Sequence, residues 1–349
     1  MNEEIPKTIE RIVAMGFIKN SSQVALAKVD DDYRLFIEIL DLESTCREII
    51  NLKQDIYIDY GALSHANNPN LFLTFNSSFE KEHKSSIRKF QCLPGQYFYF
   101  NLVNYWRDKW SKWHLKIDFS GNTVEKCIDD LEEKYEYKHD RDLVFFDTRQ
   151  FREVNLIKFF DDFFEADSFH YNRVCMGDSV DVFLSSDNKS LGVCYFFKDE
   201  EMPRGNFCVF NIQDCDIPEL VFSLKVDTYG TDLKFSNDNS KIIYWRWEEQ
   251  NNRGPLIQYV IMDIDEPAVL KEKRIDIQYN KHLSWLDYFL MDKLIVKLEY
   301  DKFRIHNTET KQNRIIPRDH FSPYCSNENT LVYLHNDQLE AIVFYEKYL

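Results

Sequence analysis

The side chains able to act as nucleophiles, bases or metal ligands are spread along this 349-residue chain and do not gather in local motifs. Cysteines stand at 46, 92, 127, 175, 194, 208, 215 and 325, with no Cys-x-x-Cys pair and no histidine at zinc spacing, so no metal site is assigned. Cys194 and Cys208 fall inside apolar runs, where a free thiol behaves as a small hydrophobe, and the set is read as reduced core thiols. Met176-Gly177-Asp178-Ser179-Val180 contains a serine that would need a base and an orienting acid to become a nucleophile; the Asp-x-x-His pair, Asp167 to His170, precedes it. His114, His170, His282 and His320 have no partner at a catalytic spacing and are read as surface or hydrogen-bonded core residues. Gly-x-Gly-x-x-Gly, Gly-x-x-x-x-Gly-Lys and His-Glu-x-x-His do not occur, which removes the common nucleotide-binding and zinc-protease readings. No catalytic residue and no cofactor is assigned. The remaining concentration of chemistry is aromatic: Trp106, Trp110 and Trp113 are half of the six tryptophans. Their plain role is to pack against a neighbouring layer, and their functional one is to anchor a partner, a task for which Trp is over-represented.

The elements that would position these residues are mostly strands. With 28 Phe and 20 Tyr the chain suits pleated, half-buried surfaces, and its 44% hydrophobic residues can bury a large core without metals or disulfides. Strand-like segments run over Ile9 to Ala14, Gln23 to Lys28, Tyr33 to Leu42 and Cys46 to Leu52, with Asp30-Asp31-Asp32 as a turn. Leu71 to Phe75 and Ile87 to Cys92 follow. Tyr97 to Tyr105 and Trp113 to Phe119 could pair as strands, but the i, i+4, i+7 spacing of the three tryptophans would equally line one helix face. Asn122 to Tyr135 is expected to be a helix, because Val124, Cys127, Ile128, Leu131 and Tyr135 recur at helical spacing and Asn122 with Glu125 resembles a capping box. A second helix is expected over Val154 to Ala166, flanking the strand Leu143 to Phe146. Residues 93 to 170 thus read as an irregular insertion, helical around 120 to 166, on a β framework. From Val180 onward short strands resume in groups of four.

One hairpin pattern repeats. Leu184-Ser-Ser-Asp-Asn-Lys-Ser-Leu-Gly-Val193 aligns without a gap on Phe235-Ser-Asn-Asp-Asn-Ser-Lys-Ile-Ile-Tyr244. Copies beginning at Tyr324 and Phe17 follow the template, with Asn327 and Asn20 where Asp187 and Asp238 stand. The intervals between positions 17, 184, 235 and 324 are 167, 51 and 89 residues, and from 324 through residue 349 and round to 17 the distance is 42. Repeats of about 40 to 50 residues, each four strands, are the sequence signature of propeller blades. The expectation is an all-β chain forming a single propeller domain over residues 1 to 349. It has seven blades, with eight as the alternative count, and the strand Ile9 to Ala14 completes the last blade.

The Leu/Phe-Ser-x-Asp-Asn turn followed by an apolar strand resembles the Phe-Ser-Pro-Asp-Gly-Lys turn of WD40-like and TolB-like β-propeller repeats. Gly-His and Trp-Asp pairs are missing here, so the resemblance implies the fold and names no function. The Gly-Asp-Ser block around Ser179 is similar to that of an esterase family, yet its order relative to Asp167 and His170 is reversed; a strand-entry turn is the better account. Ser236 to Ser240 is similar to the start of a sialidase Asp box, itself a structural turn.

A net charge of −16 without a compensating basic patch argues against nucleic acid, and no apolar run approaches a membrane span, so neither is an expected partner. The acidic clusters, such as Asp199-Glu200-Glu201, are read as solvated loops. An acidic N-terminus without a signal-like apolar core points to the cytoplasm. Two functions fit. The preferred one is a non-catalytic protein-interaction scaffold, a monomer or part of a hetero-complex, binding a protein partner through Trp106, Trp110 and Trp113. The alternative is a hydrolase or lyase whose acids and bases converge at the central funnel.

Overall fold

The computed structural model describes residues 11–19, 21–58, 85–106, 109–131, 144–155, 180–185, 187, 189–197, 204–214, 217–226, 233–250, 254–264, 275–278, 288–291, 293–299, 301–319, 322–327, 329–336 and 338–344. Every regular element among them is a strand. The first sheet is β1 (Arg11–Phe17), β2 (Gln23–Val29), β3 (Leu35–Asp41) and β4 (Arg47–Asn51). The second is β5 (Ser85–Leu93), β6 (Tyr97–Trp106), β7 (Lys109–Asp118) and β8 (Thr123–Leu131). A two-stranded sheet, β9 (Val144–Asp147) with β10 (Arg152–Asn155), comes next. Three more sheets of four follow: β11 (Val180–Leu184) to β14 (Glu219–Val226) through β12 (Ser190–Phe197) and β13 (Arg204–Asn211); β15 (Leu233–Phe235), β16 (Lys241–Gln250), β17 (Gly254–Asp263) and β18 (Ile275–Gln278); and β19 (Tyr288–Met291), β20 (Leu294–Glu299), β21 (Lys302–Asn307) and β22 (Asn313–Pro317). The last sheet has three strands, β23 (Tyr324–Ser326), β24 (Thr330–His335) and β25 (Gln338–Val343). Within each sheet the spatial order follows the chain order.

The strands fall in two compact units. One holds β1–β8 and β23–β25; the other holds β9–β20 and nearly all of β21 and β22. In the first unit β1 lies beside both β5 and β23, and in the second β15 lies beside both β11 and β19. The first strands of successive sheets are thus the ones that adjoin. Burial follows strand position: β2 and β20 are buried along almost their whole length, whereas β4 and β22 share one pattern of three exposed residues, one buried and one exposed. Apolar runs fill the second strand because both of its faces are covered, and Arg, Glu and Asn are tolerated on the fourth.

The repeated hairpin joins the first and second strands. Phe235 pairs with Ile242, Leu184 with Leu191 and Phe17 with Val24, as the template requires. Its turn is tied by side chains. Ser185 Oγ donates to Asp187 Oδ1 at 2.6 Å and accepts from the Ser190 N–H at 2.9 Å; Ser236, Asp238 and Lys241 repeat the arrangement. The copy at Tyr324 departs from it: Ser326 rather than Tyr324 pairs with Leu331, so the turn is two residues tighter. Asn327 still plays its part, accepting from the Asn329 N–H at 3.1 Å.

A second repeat, between third and fourth strands, is not visible as a sequence identity. Asp41, Asp147 and Asn307 end their strands, and each accepts a hydrogen bond on Oδ1 from the N–H two residues on. The residue four positions on has positive φ: Thr45 at 59°, Phe151 at 52° and Lys311 at 60°. The residue directly after the strand-ending Asp or Asn donates its N–H to the first hairpin turn of the same sheet from Leu42, Ile212, Ile264 and Thr308, as does Phe344 after Val343, at 2.7–3.1 Å. In these five sheets the two turn families are therefore hydrogen-bonded together at one end.

Three expectations need correction. Asn122 to Leu131 is not a helix but a turn and the strand β8, and the rest of that segment lies outside the described residues. Asn122 donates its N–H and its amide to the Asp118 carboxylate, closing a turn with Gly121 at φ 82°, and Glu125 pairs with Lys116 across the strands instead of capping. The unpaired edge of β7 offered a full ladder of hydrogen bonds, which outweighs a helical apolar period. Of the second expected helix, Val154 and Asn155 belong to β10 and the remainder is outside the described residues. The described part of the expected closing strand, Arg11 to Ala14, is zipped to β2 in the first sheet, not to the last one. It is the first sheet's own innermost hairpin partner. Yet the last and first sheets do meet: Met15, Val24 and Leu26 share a buried cluster with Cys325 and Val332.

Candidate functional site

The tryptophan region is built on the β5–β8 sheet, whose two faces differ in kind. Phe98, Phe100 and Leu102 of β6 and Leu115 and Ile117 of β7 occupy one face, are fully buried, and join Ile37, Ala25 and Ile58 in a core. The Asp118–Asn122 turn fastens this sheet to the first one. Lys53 N–H donates to Gly121 O at 2.8 Å, and a Cβ on Gly121 would lie 2.2 Å from Asn51 O, so only glycine fits there.

The three tryptophans stand on two paired strands. β6 and β7 pair with Trp106 opposite Lys109, Tyr105 opposite Trp110 and Leu102 opposite Trp113, so Trp106 ends β6 and Trp110 and Trp113 belong to β7. The helical i, i+4, i+7 reading fails with the helix. Trp113 is half-buried against the core; its Nε1–H donates to Ser111 Oγ at 3.0 Å. Towards β8 it is flanked by Ile128, directly opposite in register, and Lys126, whose Nζ lies 4.0 Å from the ring centroid. Val124 and Ile128 are 45% and 48% exposed. One tryptophan, a cation and two exposed aliphatic side chains therefore make an amphipathic strip along the outer edge of the sheet.

The opposite face carries Tyr99 and His114, 2% and 1% exposed. The Tyr99 hydroxyl and His114 Nδ1 share a hydrogen bond at 2.6 Å, and Cys127 stands opposite His114 on β8. Burial, aided by Lys112, lowers the His114 pKa to about 3, while burial first and Cys127 second raise that of Tyr99. Both groups are neutral at pH 7. A base with so little proton affinity and a phenol so reluctant to ionise make a structural hydrogen bond, not an acid–base pair for catalysis. His114 is the hydrogen-bonded core histidine that spacing suggested. On the same face Lys116 bridges to Glu125 at 2.6 Å.

The thiols follow the same logic. Cys92 Sγ donates to Gly16 O at 3.5 Å and burial pushes its pKa up to about 12; Cys325 is likewise raised by burial, and Cys208 is buried. Cys46 corrects the core-thiol reading, because it is exposed in the turn before β4. Among the described residues no three His, Cys, Asp or Glu side chains converge as metal ligands, and no helix is long and apolar enough to cross a membrane. Ser179, His170, His282 and His320 lie outside the described residues; β11 begins at Val180, directly after Ser179. The repeat template does not single out the Asx residues that end β3, β9, β13, β17 and β21. Their signal is an Asp or Asn followed by Leu, Ile or Thr, at residues 41, 147, 211, 263 and 307.

No family model and no curated protein matches the chain. Solved structures do resemble it. A prolyl endopeptidase overlaps 95% of this chain with a TM-score of 0.48 and 10% identity; this chain spans half the length of that one. The Nup133 β-propeller domain of Vanderwaltozyma polyspora overlaps 89% of this chain and 71% of its own, at 13% identity and a TM-score of 0.34. The β-propeller domain of the Trilobed protease from Pyrococcus furiosus overlaps 96% and 86%, at 9% identity and a TM-score of 0.31. The described residues are all-β, and with their repeated four-stranded meanders and adjoining first strands the chain is similar in fold to β-propeller domains.

Proposed function

We propose that the protein is a non-catalytic protein-interaction scaffold. It is a single propeller of seven blades. Partners dock on the β5–β8 sheet, around Trp106, Trp110 and Trp113. The observation that supports the binding role is where the exposed large apolar side chains lie among the described residues. Seven of the nine are on the last strand of their sheet, Ile49 on β4, Val124 and Ile128 on β8, Leu220 and Val221 on β14, Ile315 on β22 and Val343 on β25, while Tyr33 and Ile217 lie between strands. Such residues are unexceptional singly, but the gathering of these seven on sheet edges, with half-buried Trp113 opposite Ile128, suits docking of extended or β-edged partners. The seven sheets among the described residues support the blade count, and the shared cluster of Met15 and Cys325 supports a ring joined between its last and first sheets.

The binding role is tested by replacing Trp106 and Trp110 with Ala, then measuring melting and partner capture on one preparation. A docking surface predicts capture weakened by about 2 kcal/mol or more with little change in melting. A large drop in melting temperature assigns the pair to packing and withdraws the role.

A further inference from the structure

The outer edges of the sheets are not equally open. β4 and β22 are five residues long, β22 ends on Pro317, and β18 has four residues. In β14 a bulge between its partners Val209 and Phe210 breaks the ladder at Val221. Short strands, proline and bulges are the usual protections against strand addition. β8 is different. It is nine residues long, and beyond an irregularity near its start the register from Glu125, opposite Lys116, to Leu131, opposite Trp110, is continuous. Among the described residues no strand pairs with its outer side.

The regular stretch, Glu125-Lys-Cys-Ile128-Asp-Asp-Leu131, carries one oppositely charged pair, Lys126 and Asp130, placed symmetrically about its centre. In an antiparallel pair related by a two-fold axis normal to the sheet, residues i and j meet only if they share a face, so their numbers must sum to an even value. With the axis at Ile128, Lys126 meets Asp130 of the second copy, and Asp130 meets Lys126. Cys127 then faces Asp129, and Glu125 faces Leu131. Ile128, 48% exposed, would face itself across the axis, flanked on either side by opposite charges. Lys126 is already held next to this position, with its Nζ over the Trp113 ring.

We infer that β8 is a self-association edge, and that a second copy of this chain adds to it antiparallel with Ile128 on the axis. The two β5–β8 sheets become one sheet of eight strands. This goes beyond the scaffold reading and does not rest on it, and it replaces the expected monomer with a two-fold pair. A seven-residue seam is a small interface, so the dimer is in dynamic exchange and concentration-dependent.

Charge exchange tests the register in the full chain. By sedimentation, K126E and D130K should each weaken the dimer at least about tenfold, since each sets like charges opposite one another across the seam. The double variant K126E/D130K restores opposite charges and should return the dimer, although it does not restore the cation over Trp113. Amide exchange gives a second readout: residues 125–131 should gain protection as protein concentration rises, and I128R should abolish that gain while melting stays near that of the unaltered chain. A chain that stays monomeric at high concentration overturns the proposal, as does a dimer indifferent to both single substitutions or not recovered in the double variant. Either failure leaves partner capture by Trp106 and Trp110 untouched.

Discussion

The two faces of the β5–β8 sheet are built from the same strands and do opposite work. On one, Phe98, Phe100, Leu115 and Ile117 are fully buried among aliphatic neighbours; on the other, one residue out of step, Tyr99 and His114 are as deeply buried but held by a hydrogen bond. The first face gains from every atom it removes from water. The second must satisfy polar groups merely to avoid a penalty, so its stability depends on protonation as the first face's does not.

Acid should separate them most. The folded His114 pKa is about 3 against 6.5 for the free group, so between those values the unfolded chain binds the extra proton. Stability from this site is complete above pH 6.5 and is lost as pH falls towards 3, by about 4 to 5 kcal/mol over the window. Denaturant unfolding at several pH values measures it. His114→Gln, which keeps an acceptor for Tyr99 but cannot titrate, should flatten the slope; an unchanged slope would assign the acid sensitivity elsewhere. Next in size is the apolar face: Phe100→Ala should cost about 4 kcal/mol at any pH from 4 to 8, because its cavity does not titrate. Gly121→Ala should cost about 3 kcal/mol, since a side chain there combines positive φ with overlap on Asn51 O and prises the apolar face from the first sheet. Smallest is Tyr99→Phe, about 1 kcal/mol for one neutral hydrogen bond; a loss as large as that of Phe100→Ala would erase the distinction between the faces.

The same alternation explains what could be read in advance. The strand runs from Val180 onward were legible because apolar runs and Asn/Asp turns alternate at strand length, and the first-to-second hairpin because Ser236, Asp238 and Lys241 bond within six residues. The third-to-fourth turn was hidden. Its positive-φ position is held by Thr45, Phe151 and Lys311, none of them glycine, so the backbone repeats where the side chains do not. Asn122 to Leu131 misled because residues at 124, 128 and 131 satisfy a helical period as well as a strand with a local irregularity.

By itself, then, the sequence determined the local pieces: strands, their grouping in fours from Val180 onward, the Ser-Asp turns, and a net negative charge. These rest on interactions within a few residues, which any conformation of the segment can sample. Tertiary structure alone decided that β8 completes a sheet, that Leu102 pairs with Trp113, that Tyr99 finds His114 fifteen residues away, and that Cys92 reaches Gly16 across 76. Those choices depend on which strand edge is left unpaired and which face meets another layer. Such competition is settled by hydrogen bonds and burial between distant segments, and a strand's own residues carry no record of the partner that wins.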